Sequence, residues 1–390
     1  MSETRDVTDA TVNNSSTASP SAVPSILPTT TPESVNTASA TTPSSAPAQA
    51  GQSNLTTTIT PALDAEESEY DSSTRGESIA SSSTSVSSSV LQFRIENGRT
   101  YHKYKDGKYS YPNDERENER LDIQHNMFLL TFDNKLGTAP PNMKDSNVKV
   151  GRVLDVGTGT GIWAMEFGEE HPESEVLGVD LSPTQPEFTY SNVKFEIDDI
   201  DEDWTYSQPF DYIHSRMMTS SIANWREYLQ KCYDNLTPNG YLELNEIDLK
   251  PGCDDGTLKE DHALVKMSRL WGEAAAFFGR PFQDNRALLD MLAEIGFVDI
   301  HAQTFKWPSN PWPKDRKHKE LGFWNYDNSV AGLEGFMMAP FTRVHEWTKE
   351  EVTVFAMQVR NEMKDPSIHS YSHIWSIYAR KPSEAELEAN

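Results

Sequence analysis

Leu154-Asp-Val-Gly-Thr-Gly-Thr-Gly-Ile-Trp-Ala164 is the stretch of this chain that decides its fold. A short apolar run, 150–156, leads into three glycines spaced two residues apart, Gly157, Gly159 and Gly161, and a helical pattern follows them. Glycine lets the backbone turn sharply and approach a ligand with no Cβ in between. A strand, a glycine-rich turn and a helix in this order predict the ligand-binding end of a parallel sheet.

Strand and helix patterns alternate on both sides of this turn. The predicted strands are 150–156, 176–180, 193–197, 210–214, 241–247, 297–305 and 373–379. The predicted helices are 114–132, 162–170, 225–236 and 285–295, with two more opened by the capping boxes Thr257-x-x-Glu260 and Thr348-x-x-Glu351. This β-α-β alternation favours helices on both faces of a parallel sheet. The predicted fold is therefore α/β, a doubly wound, mostly parallel seven-stranded sheet of the Rossmann-like kind.

Acidic side chains after three of the predicted strands indicate what the glycine-rich turn binds. Asp155 closes the strand before the turn, Asp180 ends the next strand, and Asp199 follows the third. A dinucleotide site needs Gly-x-Gly-x-x-Gly, with a helix N-terminus that holds a pyrophosphate. Here Ile162 occupies the place of the third glycine, and Asp155 would set its negative charge beside the pyrophosphate. A nicotinamide cofactor, or a turn without a ligand, stays open as an alternative.

S-adenosylmethionine suits the pattern better, because it carries an ammonium and a sulfonium but no phosphate. In this interpretation Asp155 holds the methionine amino group and the glycines let the backbone meet the amino-acid part. Asp180 accepts both ribose hydroxyls, and Asp199 with the backbone of Ile200 reaches the adenine edge. The predicted cofactor-binding residues are Asp155, Gly157, Gly159, Gly161, Asp180, Asp199 and Ile200. No metal site is predicted.

The first 90 residues differ from the rest in composition. They contain 22 serines and 16 threonines but a single aromatic residue, Tyr70. Such a segment cannot bury enough apolar surface to offset the entropy of ordering it. We therefore expect a disordered Ser/Thr/Pro-rich tail at 1–90, a partly helical extension at 91–149, and a main domain at 150–382 with an insertion near 306–370.

Charge and cysteine content exclude several classes of protein. A net charge of −26 disfavours non-specific binding to nucleic acid or to anionic membranes, which needs clustered Lys and Arg. Two cysteines, Cys232 and Cys253, are too few for a disulfide framework or a cysteine-rich zinc site. The N-terminus lacks the apolar core of a signal peptide, and no run of about 18 apolar residues occurs. We expect a nuclear or cytoplasmic protein that is not secreted, spans no membrane and does not bind nucleic acid directly.

Further segments of the sequence resemble one known family. They are Glu96-Asn-Gly-Arg-Thr-Tyr-His-Lys-Tyr104, Asn113-Asp-Glu-Arg116, Glu119-Arg-Leu-Asp-Ile-Gln-His-Asn126, Val179-Asp-Leu-Ser-Pro-x-Gln-Pro186, Phe210-Asp-Tyr-Ile-His-Ser-Arg-Met217 and Asn310-Pro-Trp-Pro313. Together with the glycine-rich turn, they make the chain similar to class I S-adenosylmethionine-dependent methyltransferases. More narrowly, residues 95–382 resemble the fungal LaeA-like methyltransferases.

This resemblance implies a function and a topology. LaeA-like proteins regulate fungal secondary metabolism and development and are linked to velvet proteins, so velvet-type partners are expected. A small-molecule methyltransferase of a biosynthetic pathway, and a cofactor-binding scaffold with little turnover, stay open as alternatives. A seven-stranded methyltransferase sheet has a late antiparallel strand inserted near its edge, which implies that 297–305 pairs with 373–379.

Candidate residues for the acceptor side follow the strand ends, where doubly wound sheets bind their ligands. Methyl transfer needs a general base only if the acceptor arrives protonated, and His214 is the candidate base. Arg216 and Glu246 are expected either to pair with each other or to contact substrate. Tyr101 is expected in a lid over the cofactor, and Trp312 in the wall of the acceptor pocket.

Overall fold

A computed structural model describes residues 93–105 and 107–389 of the chain. The tail predicted at 1–90 lies outside these residues. The strands are β1 Phe93–Glu96, β2 Arg99–His102, β3 Arg152–Val156, β4 Glu175–Asp180, β5 Val193–Ile197, β6 Phe210–Arg216, β7 Leu236–Ile247, β8 Val298–Pro308 and β9 Tyr371–Arg380. The helices are α1 Glu115–Thr131, α2 Ile162–Glu170, α3 Trp225–Asp234, α4 Ala263–Phe277, α5 Ala287–Ile295, α6 Arg316–Val344, α7 Lys349–Lys364 and α8 Glu384–Ala389. None of these helices is long and apolar enough to cross a membrane.

Seven strands form one sheet in the order β5-β4-β3-β6-β7-β9-β8, while β1 and β2 form a separate hairpin. The strands from β3 to β7 pair in parallel. β9 lies between β7 and β8 and is antiparallel to both. The predicted fold class and the predicted antiparallel pair are therefore confirmed. The strand order reverses between β3 and β6, and ligands bind in the crevice that such a reversal opens at the carboxyl ends of the strands.

Apolar side chains cover both faces of the sheet. In β3, Leu154 packs in a cluster with α3 and α5, whereas Val153 faces the opposite way and packs with Trp163 and Phe167 of α2. Successive side chains of a strand point to opposite faces, so a strand that is apolar throughout requires a cover on each side. The apolar run before the glycine-rich turn is thus buried between helices, which fixes the position of the turn.

Several predicted boundaries need correction. The helix expected at 225–236 ends at Asp234, because β7 already begins at Leu236 and pairs with Phe210. The expected capping box at Thr257 does not open a helix, since Thr257 donates its N–H and its hydroxyl to Asp255. α4 begins only at Ala263, and its first two N–H groups donate to the Glu362 carboxylate of α7. The second capping box, at Thr348, is confirmed at the start of α7.

The insertion between β8 and β9 consists mainly of helices. α6 has 29 residues and packs with α4 and α7 around Leu264, Met337 and Phe341. In its first half, Leu321 belongs to another buried cluster, together with Phe128 of α1 and Trp307 of β8. These helices rise beside the carboxyl ends of the strands and so form walls around the crevice.

Candidate cofactor and acceptor site

A cavity of about 280 Å³ opens at the carboxyl ends of β3, β4 and β6. The predicted site residues that line it are Asp155, Gly157, Gly159, Asp180, Asp199, Ile200, His214 and Arg216. Gly161, Tyr101, Glu246 and Trp312 are not among its lining residues. The structure thus brings the predicted cofactor residues together around the cavity, except Gly161, which does not line it. It does not bring the predicted acceptor residues together.

The glycine-rich turn needs glycine for conformation and for space. Gly157 and Gly161 have φ of +69° and +80°, in the left-handed region that other residues avoid. A Cβ on Gly157 would overlap the sulfur of Met218, and one on Gly161 would overlap the ring of Phe195. Gly161 is the N-cap residue of α2, so it shapes the turn without contacting the cavity.

Asp155 is held in place by two side chains. Its Oδ1 lies 2.8 Å from Nδ1 of His214, and its Oδ2 accepts the hydroxyl of Thr158 at 2.6 Å. His214 stacks on Trp163 with ring centroids 3.8 Å apart, and its Nε2 lies 3.3 Å from the amide nitrogen of Asn245. Both ring nitrogens of His214 are therefore engaged. This arrangement favours a role in orienting Asp155, and the assignment of His214 as a base stays a prediction that the geometry does not support.

Asp180 is placed to accept hydroxyl groups. Its Oδ2 accepts the N–H of Gly159 and its Oδ1 that of Ser182, both at 2.9 Å. Each oxygen keeps a second lone pair for a ligand. Burial raises the pKa of Asp180, while these backbone donors act in the opposite direction. The position agrees with the predicted contact to the two ribose hydroxyls.

Asp199 carries a partner that the sequence did not reveal. Lys108, in the segment after the β1–β2 hairpin, forms an ion pair with the buried Asp199 carboxylate and lies 3.5 Å from Asp201. The other Asp199 oxygen accepts the N–H of Asp201. The N-terminal extension is thus fastened to the end of the cavity where the adenine is expected.

The chemistry of the lining fits S-adenosylmethionine. Asp155, Asp180 and Asp199 supply three carboxylates along the crevice, which suits a cationic ligand. Of the basic lining residues, Lys108 is paired with Asp199, Arg120 with Glu117 and Arg280 with Asp201. A pyrophosphate would meet carboxylates on the side where the turn lies, so a dinucleotide fits poorly. The individual contacts of the cofactor stay predictions.

Aromatic residues from distant parts of the chain form the part of the cavity wall that we call the acceptor half. Tyr109, Tyr111, Trp271 and Phe336 line it. The rings of Trp271 and Phe336 stack at 5.4 Å, and Tyr111 meets both edge-on. The expected lid residue Tyr101 is buried and does not line the cavity, whereas Tyr109 and Tyr111 do.

The tryptophan expected in the acceptor wall is also corrected. Trp312 donates its indole N–H to the Ser370 carbonyl and packs on His369, away from the cavity. Trp307 and Trp271 take its place among the lining residues. Sequence reasoning missed Trp271 because it lies on α4, where a tryptophan at helical spacing is typical of a core.

Arg216 and Glu246 do not pair, contrary to one of the two expectations for them. Arg216 points to α1, where its Nη1 contacts Nδ1 of His125 at 3.2 Å. Glu246 is fully buried and accepts the N–H of Met218 and the hydroxyl of Thr219. Burial raises the pKa of Glu246 to about 7. Because Glu246 does not line the cavity and already accepts two protein hydrogen bonds, we assign it the role of a structural acceptor.

Replacing Glu246 by glutamine is expected to stabilise the protein at alkaline pH. A carboxyl whose pKa rises on folding contributes stability that is full below the unfolded value, 4.5, and is lost as the pH rises to about 7. Glu246→Gln removes this loss, and its amide oxygen still accepts the N–H of Met218. Its amide nitrogen donates to the Thr219 hydroxyl, whose own proton stays within reach of the Ile247 carbonyl. At pH 8.5 we expect the free energy of unfolding to exceed that of wild type by up to about 3 kcal/mol, which a higher melting temperature would report. At pH 5 we expect little difference.

The control for this comparison is Glu187→Gln, which neutralises an exposed carboxyl. It should leave the melting temperature nearly unchanged at both pH values. An equal effect of Glu246→Gln at pH 5 and pH 8.5 would contradict the assignment of a raised pKa to Glu246.

Comparison with known proteins identifies relatives along most of the chain. A family model described as a methyltransferase domain matches residues 123–302. "Methyltransferase pytC" of Aspergillus terreus is 39% identical over 303 residues, which cover 77% of this chain and 92% of the relative. "Secondary metabolism regulator LAE1" of Cochliobolus heterostrophus is 37% identical over 300 residues, covering 74% and 95%. "Protein-methionine methyltransferase laeA" of Emericella nidulans is 35% identical over 295 residues, covering 75% and 77%.

Proposed function

Because this chain belongs to the LaeA-like, S-adenosylmethionine-dependent methyltransferases, we propose that it methylates the thioether sulfur of a methionine side chain in a protein that regulates secondary metabolism. The observation that carries this proposal is the state of the titratable groups around the acceptor half of the cavity. One relative is itself named a protein-methionine methyltransferase, which supports the same acceptor.

Four titratable residues of the cavity wall, Tyr109, Tyr111, Glu117 and His214, are poorly placed to remove a proton from an acceptor. Burial raises the pKa values of Tyr109 and Tyr111 far above neutrality. Glu117 accepts two guanidinium hydrogen bonds from Arg120. His214 has both ring nitrogens engaged. An acceptor that arrives without a proton to lose needs no base.

A thioether meets this condition. The cofactor supplies an electrophilic methyl group on a sulfonium. In the proposed step, the acceptor sulfur would give its lone pair to a new bond to that methyl carbon. The old carbon–sulfur bond would break with its electron pair left on the donor sulfur, which becomes a neutral thioether. The acceptor would become a sulfonium, and no proton is transferred. The chain's part is to align the two sulfurs and to exclude water, which accounts for most of the acceleration of such a displacement.

The residues of the acceptor half suit a methionine side chain. Met267 and Met363 line the same cavity as the aromatic rings described above, and Met218 lines it beside Gly157. Sulfur makes favourable contacts with aromatic rings, and thioethers fill irregular apolar space. The ring faces also suit the sulfonium product, because a cation is attracted to the face of an aromatic ring.

Mass spectrometry of peptide substrates tests this proposal. The purified protein is incubated with S-adenosylmethionine and a methionine-containing peptide library, and with a matched library in which norleucine replaces methionine. We expect a methyl group on methionine sulfur in the first library only, and none with Gly157→Val, in which the new side chain overlaps Met218. Methylation at nitrogen or oxygen, or equal labelling of both libraries, would refute the thioether assignment.

Velvet-type proteins are the proposed partners, on the strength of the LaeA-like family alone. Affinity capture of the full chain from a fungal host should co-purify a velvet protein at a stoichiometry that survives washing. Capture of Asp180→Ala in parallel separates the two roles of the chain: a scaffold keeps the partner and the phenotype in this variant, whereas an enzyme keeps the partner and loses the phenotype. Absence of velvet proteins from both captures would contradict this partner.

A small-molecule methyltransferase of a biosynthetic pathway is the second candidate. It is favoured by the pytC relative, which is 39% identical, covered to 92% and named only as a methyltransferase. Deletion of the encoding gene separates the two candidates. A regulator changes the output of many pathways at the level of transcripts, whereas a pathway enzyme leaves transcripts unchanged and accumulates one demethyl precursor.

A further inference from the structure

Arg216 lines the cavity, and its guanidinium forms no ion pair with a carboxylate of the described residues. It is the last residue of β6, and its guanidinium carbon lies 4.9 Å from the ring centroid of Phe128. Its Nη1 lies 3.2 Å from Nδ1 of His125, and Nε2 of His125 lies 2.9 Å from Glu166. A guanidinium can only donate, so Nδ1 of His125 accepts and Nε2–H donates to Glu166. Glu166 thus holds the neutral imidazole of His125, and this imidazole in turn holds the side chain of Arg216 by a hydrogen bond.

The other cations of the cavity wall differ from Arg216 in this respect. Lys108, Arg120 and Arg280 each form an ion pair with an acid. Within the described residues, no carboxylate oxygen lies within 4.0 Å of Arg216. Burial lowers its pKa to about 10. Asp155 and Glu166 act in the opposite direction on this pKa, but neither forms an ion pair with the guanidinium. A partly buried cation without an ion-pair partner carries a desolvation cost, which an anionic ligand in the cavity would offset.

The strand register places Arg216 beside the glycine-rich turn. Val156 of β3 pairs with Ser215 of β6, so Arg216 stands one residue further, level with Gly157. Asp155 pairs with His214 in the same register and faces the same cavity. A carboxylate and a guanidinium thus flank the place where the methionine part of the donor is expected. An α-amino acid carries an ammonium and a carboxylate on one carbon, and this pair of side chains complements both.

We propose that Arg216 binds the α-carboxylate of the methyl donor, while Asp155 binds its α-ammonium. Arg216 then binds the methyl donor. His125, Phe128 and Glu166 are positioning residues that orient its guanidinium group. This inference rests on the methyl donor of the family and is independent of the proposed thioether acceptor.

The test compares two ligands that differ only in the carboxylate. Isothermal titration measures the affinity for S-adenosylhomocysteine and for its decarboxylated analogue, 5′-S-(3-aminopropyl)-5′-thioadenosine. Wild type should prefer S-adenosylhomocysteine by about 10- to 100-fold, the value of a charge-assisted hydrogen-bonded pair. Arg216→Gln should remove this preference by weakening S-adenosylhomocysteine alone, with the analogue unchanged within about twofold. Arg226→Gln, at an exposed arginine of α3, should keep the wild-type preference.

Three results would overturn the proposal. One is a wild-type protein that binds both ligands equally. Another is a variant that loses affinity for both ligands in parallel, which would indicate a structural role. The third is unchanged binding of S-adenosylhomocysteine with a raised KM for the acceptor, which would assign Arg216 to an acceptor carboxylate.

A further variant and a comparison with the peptide assay keep the test decisive. Should Arg216→Gln fail to fold, Arg216→Lys keeps the charge but not the fork, and should lose part of the preference through S-adenosylhomocysteine alone. A clear wild-type preference combined with no methylation of methionine peptides would support Arg216 and refute the thioether acceptor, so the two proposals fail separately.

Discussion

Replacing Asp180 by alanine is expected to weaken binding of S-adenosylhomocysteine by about 100-fold or more. Asp180 lines the cavity. Its two carboxylate oxygens already order the turn by accepting the N–H groups of Gly159 and Ser182. Each hydrogen bond from a ribose hydroxyl to a charged oxygen is worth about 1.5–3 kcal/mol, and Asp180 is expected to accept two. The variant loses these bonds and releases the backbone of the turn.

The measurement is a titration with S-adenosylhomocysteine and with its 2′-deoxy analogue. Wild type should discriminate against the deoxy ligand, and Asp180→Ala should not. Glu175→Ala is the matched control, because Glu175 is an exposed acid at the other end of the same strand, β4. Full affinity of Asp180→Ala, or an equal loss in Glu175→Ala, would contradict the assignment of Asp180 to the ribose.

Replacing Glu243 by alanine is expected to lower the free energy of unfolding by about 4 kcal/mol, because its loss leaves several buried donors without an acceptor. Glu243 is fully buried in β7 and accepts the N–H groups of Thr138 and Ala139. It also accepts the amide of Asn142 at 2.9 Å and the hydroxyl of Tyr212 at 2.7 Å. The carboxylate thus joins the segment before β3 to the middle of the sheet.

Urea unfolding measures this effect. Glu243→Gln keeps one acceptor oxygen and should be intermediate between Glu243→Ala and wild type. Glu187→Ala, at an exposed glutamate, should change the midpoint very little. Because Glu243 does not line the cavity, folded Glu243→Ala should bind S-adenosylhomocysteine nearly as wild type does. A stability loss as small as that of Glu187→Ala would refute the structural role.

The cofactor half of the site is predictable because its chemistry is local. The strand, the turn and the start of α2 are contiguous, and α2 lies at Ile162–Glu170 as the pattern predicts. Asp155 and Asp180 end neighbouring parallel strands, which brings them to one edge of the sheet. A pattern within ten residues and the rule that parallel strands end together are enough to place them.

The acceptor half is not predictable in this way, because its residues come from distant segments without a local signal. Tyr109, Trp271 and Phe336 meet only after α4 and α6 have packed. The sequence pattern did not predict α6, because Gly322 and Pro340 interrupt its helical periodicity. Gly322 is needed there because a Cβ would overlap the backbone carbonyl of Asn310. A residue that marks a break in the sequence thus serves close packing in the structure.

The partners of charged residues were also beyond the sequence. Arg216 and Glu246 end neighbouring parallel strands, which made an ion pair plausible, but Arg216 turns to His125 on α1. Lys108 finds Asp199 across 91 positions of chain. Long flexible side chains reach whichever hydrogen-bond partner the tertiary fold brings near, so their pairing follows from packing and not from sequence spacing.

The place of β9 inside the sheet has a consequence for synthesis of the protein. β9 follows β7 and β8 in the chain, so it leaves the ribosome after them, yet it separates them in the sheet and pairs with both. Until Arg380 has emerged, β7 and β8 each present an unpaired backbone edge, which is a template for joining to another chain. We therefore expect nascent or truncated chains that lack β9 to be more prone to aggregation than the folded protein, because addition of β9 is the step that joins β7 to β8.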